Sequence, residues 1–99
     1  MGRITARDLA ETAPNGSAVV IADADANVAA RVTSSLPRSR HLVLRSASVD
    51  AAEPRRVAAL LKSVNAFAII NATHHRFNIA VMDAALAAGA HYCDLGGLF

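Results

Sequence analysis

Apolar and polar positions alternate along the chain in blocks that predict strands separated by helices. Short apolar runs at 18–23, 42–44 and 66–70 are typical of strands buried in a parallel sheet, and a last strand is expected at 91–94. Helices are expected at 3–13, 26–35 and 77–88, and a further helix has Pro54 within its first turn and an apolar stripe from Val57 to Val64. Strands alternating with helices in this way predict parallel βαβ units, and therefore an α/β layer structure.

Turn and capping residues predict where these elements end. The sequence at 14–16 is a strong turn signal, Asp25 is placed to cap the second helix, and Gly89 to end the last one. Asp50 and Glu53 have the spacing of a capping box. Helical spacing then predicts the inward faces. They are Val28, Val32 and Leu36; Val57, Leu60, Leu61 and Val64; and Ile79, Met82 and Leu86.

Composition narrows the function classes. At 99 residues the chain allows one domain, and its net charge of +2 comes from scattered basic residues, which argues against nucleic-acid binding. No apolar run approaches the ~18–20 residues of a membrane span, and no signal-peptide core is visible. The single cysteine, Cys93, forms no internal disulfide and is expected to pack as a small apolar side chain. A cytoplasmic protein is the expectation.

No spacing of metal ligands is present. His74 and His75 are adjacent and are expected to point apart, so they do not predict a paired metal site. Either histidine is a minor candidate for contact with a ligand.

The first 23 residues carry a candidate nucleotide site. In a dinucleotide-binding βαβ unit, a strand feeds a glycine-rich turn and a helix, and the next strand ends on an acid. Gly2 stands 21 residues before Asp23, so the first strand and two earlier glycines are expected to lie upstream of residue 1. The Asp23 carboxylate can accept hydrogen bonds from both ribose hydroxyls and would repel a 2′-phosphate, which slightly favours NAD over NADP. The alternatives are that Gly2 is a flexible terminal residue and that Asp23 merely caps a helix.

Four segments together resemble the amino-terminal nucleotide-binding domain of the saccharopine dehydrogenase family. They are residues 1–3, 20–23, 69–72 and the tail 81–97, of which the tail, ending Tyr92-Cys93-Asp94-Leu95-Gly96-Gly97, is the most specific. The resemblance covers nearly the whole chain, although Thr73-His74-His75 departs from the commoner Ala, Gly or Pro of the family. It implies a Rossmann-like parallel sheet with helices on both faces, in the order 3-2-1-4-5. The chain at 1–99 is then a partial domain whose first, central strand is missing.

The resemblance also implies the cofactor and its contacts. The cofactor is NAD or NADP, and the substrate of the parent enzyme is derived from an amino acid and oxidised or reduced at a C–N bond. The expected cofactor-binding residues are Gly2, Arg3, Asp23, Val49, Asp50, Asn71, Ala72 and Thr73. Asp50 equally suits a helix cap, and Asn71 the satisfaction of local backbone groups.

No catalytic acid or base is named, because the family presents the reacting carbon from a second domain. Without the central strand, the chain is expected to be loosened and inactive alone. Two other interpretations stay open. One is a non-catalytic remnant or nucleotide-binding module, and the other is a relative of enoyl or acyl reductases that shares the domain.

Overall fold

Helices and strands alternate from one end of the chain to the other. The computed structural model describes residues 2–38 and 42–95. Within them the helices are α1 (Gly2–Thr12), α2 (Ala26–Ser35), α3 (Pro54–Ser63) and α4 (Asn78–Ala88), with a single 3₁₀ turn at His75–Phe77. The strands are β1 (Ser17–Asp23), β2 (Leu42–Ser48), β3 (Ala68–Asn71) and β4 (His91–Asp94). Met1, Gly96 and Gly97 of the family-like segments lie outside the described residues.

The strands form two separate parallel pairs. Strand β1 pairs with β2 from Ser17↔Leu42 to Asp23↔Ser48, and β3 pairs with β4 from Ala68↔His91 to Asn71↔Asp94. In the described residues no ladder joins β1 to β3. The α/β class with parallel, Rossmann-like strands is confirmed, in sheets of two strands each.

The chain divides into two compact units, residues 1–48 and 49–99. In the first unit, helices α1 and α2 pack on one face of the β1–β2 pair. The buried residues of this core are Ala6, Ala10, Val32 and Leu36, with Ile21, Val28, Leu42 and Leu44 packed against them. On β2, Leu42 and Leu44 turn to this core while Val43 and Arg45 are exposed, because alternate strand residues face opposite sides.

The second unit has its own core, formed by α3 and α4 over β3. Its buried members are Val57, Ala58, Leu61 and Ala84, with Val49, Ala66, Ile69, Ala88 and Ala90 packed against them. The inward stripe predicted for α3 is therefore confirmed at Val57 and Leu61. Strand β3 is less buried than its apolar sequence predicts, since Ala68 and Ile70 are exposed.

The predicted inward face of α4 is wrong. Ile79 and Leu86 are 72% and 80% exposed, and Met82 is also exposed, whereas Val81, Ala84 and Ala85 are buried. The helix is apolar nearly all round, so spacing alone does not select a face. Small alanines face the core because they let α4 approach its neighbours closely.

Of the three capping predictions, two are confirmed and one is wrong. The Asp25 carboxylate accepts from the backbone of Asn27 and Val28 and caps α2, and Gly89 ends α4 with a left-handed φ of 73°. The capping box at 50–53 does not form. Glu53 stands at the N-cap of α3 without a side-chain bond, and the Asp50 carboxylate accepts instead from the backbone N–H of Ala52 at 2.9 Å.

Candidate functional site

Polar residues lie at the carboxyl ends of both strand pairs. Because each pair is parallel, Asp23 ends β1 beside Ser48 at the end of β2, and Asn71 ends β3 beside Asp94 at the end of β4. Ligands of open α/β sheets bind outside the carboxyl ends of the strands. Each pair therefore presents a candidate site at this end.

At the end of β1, two neighbouring carboxylates have different roles. Oδ1 of Asp23 accepts a hydrogen bond from the backbone N–H of Asp25 at 2.9 Å and so shapes the turn after the strand. Asp25 caps α2, with its Oδ1 2.8 Å from the backbone nitrogen of Asn27. The helix cap is thus Asp25 and not Asp23. The Asp23 side chain is exposed at the strand end, where its carboxylate is accessible to a ligand.

The end of β2 is tied to the same turn. The Ser48 hydroxyl donates to the carbonyl oxygen of Ala24 at 3.1 Å. Val49, the next residue, packs on the core of the second unit, so its side chain has a structural role. Asp50 is exposed and holds the turn before α3 through its bond to Ala52.

Gly2 and Arg3 form the first turn of α1 and are both exposed. This turn contains no acidic residue. The positive end of the helix dipole, the N–H groups of the first turn and the Arg3 guanidinium favour an anion such as a phosphate.

The end of β3 contains a buried carboxamide. Asn71 is 5% exposed, and its Oδ1 accepts from the backbone N–H of Thr73 at 3.1 Å and from the Thr73 hydroxyl at 2.6 Å. Its Nδ2 donates to Oδ1 of Asn78 at 2.9 Å and, at a longer 3.4 Å, to the Tyr92 hydroxyl. The alternative role for Asn71, the satisfaction of local groups, is present in the structure.

Strand β4 extends this network. The Tyr92 hydroxyl donates to Oδ2 of Asp94 at 2.9 Å. Burial is the main reason that the pKa of Tyr92 is raised; the hydrogen bond from Asn71 opposes the rise, and the hydrogen bond and charge of Asp94 add to it. Tyr92 therefore stays protonated and acts as a donor at neutral pH.

The residues after Asn71 form a short loop. Ala72 is half-buried, while Thr73 and both histidines that follow it are exposed. Nδ1 of His74 accepts from the backbone N–H of Arg76 at 3.1 Å. The expectation that His74 and His75 point apart is wrong, because their ring centroids are 4.2 Å apart. Across residues 2–38 and 42–95, no group of three or more His, Cys, Asp or Glu is placed to hold a metal ion.

The structure thus brings Asn71 and Thr73 together with Asn78, Tyr92 and Asp94. Asn78 and Tyr92 were not predicted as site residues. The register of β3 with β4 pairs Asn71 with Asp94, and Tyr92 shares a face with Asp94 two residues later. That periodicity was the available signal. Cys93, between them, is exposed and does not pack as an apolar side chain.

A shallow groove on the helices of the second unit lies between α3 and α4. It is lined by Pro54, Arg55, Ala58, Ala59, Lys62, Asp83, Ala84 and Ala87. None of the predicted cofactor-binding residues lines it, so it is not the candidate site.

Parallel strands that alternate with helices and carry polar residues at their carboxyl ends are typical of the Rossmann-like α/β class. Residues 1–97 match the family model described as the saccharopine dehydrogenase NADP binding domain. The chain belongs to this family and is the NAD(P)-binding part of a saccharopine dehydrogenase-like protein. Its cofactor is a nicotinamide dinucleotide. In the portion that the structure describes, no helix has the length and apolarity to cross a membrane.

Proposed function

We propose that this chain holds the nicotinamide dinucleotide for an oxidoreductase that acts on a C–N bond of an amino-acid-derived substrate. The observation that carries the proposal is the set of polar residues at the carboxyl ends of two parallel strand pairs, in a chain that matches the family domain over residues 1–97. The bound nicotinamide supplies or accepts a hydride at the substrate carbon.

The proposed contacts of the phosphates and the adenosine are made by Gly2, Arg3, Asp23, Val49 and Asp50. Gly2 and Arg3 bind the pyrophosphate, because the first turn of α1 is exposed and free of acidic residues. Asp23 binds the adenosine ribose through its exposed carboxylate, and Val49 and Asp50 line the adenine. For Val49 this contact comes from the backbone, since its side chain packs in the core.

The ribose and nicotinamide half is assigned to residues 71–73. Thr73 is exposed, and Ala72 has no side chain large enough to block close approach of a ligand. The Asn71 side chain is buried, so it contributes by holding this loop. No acid or base for the reaction is proposed among these residues, and we infer that the chain binds cofactor without turnover of substrate.

The choice of cofactor rests on the charge at Asp23. A carboxylate accepts two ribose hydroxyls well and repels a 2′-phosphate, so we propose a modest preference for NAD. Titration of the purified chain with NADH and with NADPH, followed by nicotinamide fluorescence, measures both dissociation constants.

We expect NADH to bind more tightly than NADPH. Asp23→Asn is expected to weaken NADH binding by about tenfold, the usual effect of losing a charged hydrogen-bond partner. The same change is expected to bring the dissociation constants of NADH and NADPH closer together. Asp8→Asn, a matched change on an exposed carboxylate of α1, leaves both constants unchanged. Absence of binding by the folded chain contradicts the proposal for this chain, and tighter binding of NADPH contradicts the role of Asp23.

A further inference from the structure

A continuous hydrogen-bonded network links the end of β3, the start of α4 and the end of β4. It runs from Thr73 and Asn78 through the carboxamide of Asn71 to the hydroxyl of Tyr92 and on to Asp94. The residues come from three elements that are adjacent only in the folded chain.

The orientation of the Asn71 carboxamide follows from its partners. The backbone N–H of Thr73 can only donate, so the atom that faces it at 3.1 Å is Oδ1. Nδ2 then faces Asn78 and Tyr92 and donates to both. Both ends of this buried carboxamide are engaged within the protein.

The direction of the next bond follows in turn. An amide nitrogen donates only, so the Tyr92 hydroxyl accepts from Asn71 and has its one proton left for Asp94. The Asp94 carboxylate at the end of β4 thereby accepts from a neutral donor on its own strand, the Tyr92 hydroxyl. That hydroxyl in turn accepts from Asn71 at the end of β3.

We propose that Asn71 and Tyr92 are positioning residues, which set the loop 71–73 and the Asp94 carboxylate at the cofactor-binding end of β3 and β4 without contacting the dinucleotide. The inference rests on the proposed function and deepens it. In this proposal the Asn71 side chain does not contact the ligand but supports the residues that do. The proposal also adds Tyr92, which the family resemblance did not assign.

The network can be tested without any ligand, because Tyr92 is the only tyrosine and the chain has no tryptophan. The absorbance change on phenolate formation therefore reports this one hydroxyl. The other ionisable groups that act on it are Asp94 and Cys93. We expect Asp94→Asn to lower the pKa of Tyr92 and Asn71→Ala to raise it, because the first removes an acceptor and a negative charge and the second removes a donor.

Positioning is then tested by dinucleotide binding. Asn71→Ala and Tyr92→Phe are each expected to weaken NADH binding by about two- to tenfold, the effect of one displaced hydrogen-bonded group. The double variant is expected to bind no more weakly than the weaker single variant, because both changes act through one network. Asn27→Ala, an exposed carboxamide on α2, serves as the matched control and leaves binding unchanged. Circular dichroism establishes that each variant is folded.

The outcomes separate this inference from the proposed function. If the folded wild-type chain binds neither NADH nor NADPH, the proposed function fails and this inference fails with it. If wild type binds and both variants match it, only the inference fails. Additive losses in the double variant indicate direct contacts and also overturn it, as does a Tyr92 titration that neither Asp94→Asn nor Asn71→Ala moves.

Discussion

The carboxyl ends of the two strand pairs are built differently. At β1 and β2, the Asp23 side chain is exposed, and its one bond in the described residues goes to a local backbone N–H. At β3 and β4, the Asn71 side chain is buried and bonded to side chains from the loop, α4 and β4. The end of β1 and β2 therefore presents an accessible carboxylate, whereas the polar groups at the end of β3 and β4 are held in place by hydrogen bonds to one another.

Under the proposed function, the two ends would contact different parts of a dinucleotide. A ribose with two hydroxyls is recognised by an exposed acceptor that replaces water. A reacting ring needs groups held in one place, because small displacements of positioning groups are costly for reaction rates. We call the carboxyl end of β1 and β2 the open end, and the carboxyl end of β3 and β4 the bonded end. The open end suits recognition of a ribose, and the bonded end suits placement of the reacting ring.

The largest expected effect tests the core beneath the bonded end. Leu61 on α3 is 6% exposed in the core of the second unit. Leu61→Ala is expected to lower the free energy of unfolding by about 2–5 kcal/mol, because it removes buried methyl groups and leaves a cavity. Urea denaturation followed by circular dichroism measures the change.

Leu86→Ala is the matched control on α4. The same atoms are removed, but Leu86 is 80% exposed, so the expected change is within about 0.5 kcal/mol. Equal losses at Leu61 and Leu86 would mean that the face of α4 predicted from the sequence is the buried one after all.

The next effect comes from the bonded end itself. Asn71→Ala is expected to destabilise the chain by about 1–3 kcal/mol, because it removes a buried carboxamide and leaves partly buried partners such as Asn78 Oδ1 without this hydrogen bond. Asn27→Ala removes an exposed carboxamide from α2 and is expected to change stability by less than about 0.5 kcal/mol. Urea denaturation measures both changes in the free energy of unfolding. If both are small and similar, the Asn71 network does not stabilise the bonded end, and the contrast with the open end is lost.

The two regions also differ in how well sequence predicts them. The structure of the open end depends on contacts between residues that are close in sequence. The cap at Asp25 acts on Asn27 and Val28, so its position beside an apolar run was enough to predict it. The boundaries of α1, α2 and α4 and the parallel pairing were likewise predictable, because they follow from periodicity and from the length of the connections.

The bonded end depends on residues far apart in sequence. Asn71 meets Tyr92 only because β3 and β4 pair in one register, and no local pattern states that register. The face of α4 was mispredicted for a related reason. Its large apolar residues suggested an inward stripe, but close packing placed Ala84 and Ala85 inside. Side-chain size predicts burial poorly where a helix must approach closely.

A third test compares the caps of the two units. Asp25→Ala is expected to destabilise the chain by about 1 kcal/mol, because two backbone N–H groups at the start of α2 lose their acceptor. Glu53→Ala alters the N-cap of α3, where the side chain makes no capping bond and forms an exposed ion pair with Arg56 at 3.3 Å. Its expected effect is under about 0.5 kcal/mol. An equal loss at both positions in urea denaturation would mean that Glu53 caps α3 in solution.

The smallest effect is a pH dependence confined to the bonded end. The pKa of Tyr92 in the folded chain is raised above its ordinary value near 10, mainly by burial and further by Asp94. Folding therefore favours the neutral phenol. This contribution to stability is fully present below about pH 10 and is lost as the pH rises through the higher folded-state pKa. The free energy of unfolding of wild type should thus fall relative to that of Tyr92→Phe as the pH rises above 10.

The difference between the two proteins isolates this group, because the Tyr92 hydroxyl is the one ionisable group that they do not share. Urea denaturation of each protein at a series of pH values gives the difference directly. A difference that stays constant across the range would show that Tyr92 is as solvated in the folded chain as in the unfolded one. The Tyr92 hydroxyl would then not be held by hydrogen bonds to Asn71 and Asp94, and the carboxyl end of β3 and β4 would be as open as that of β1 and β2.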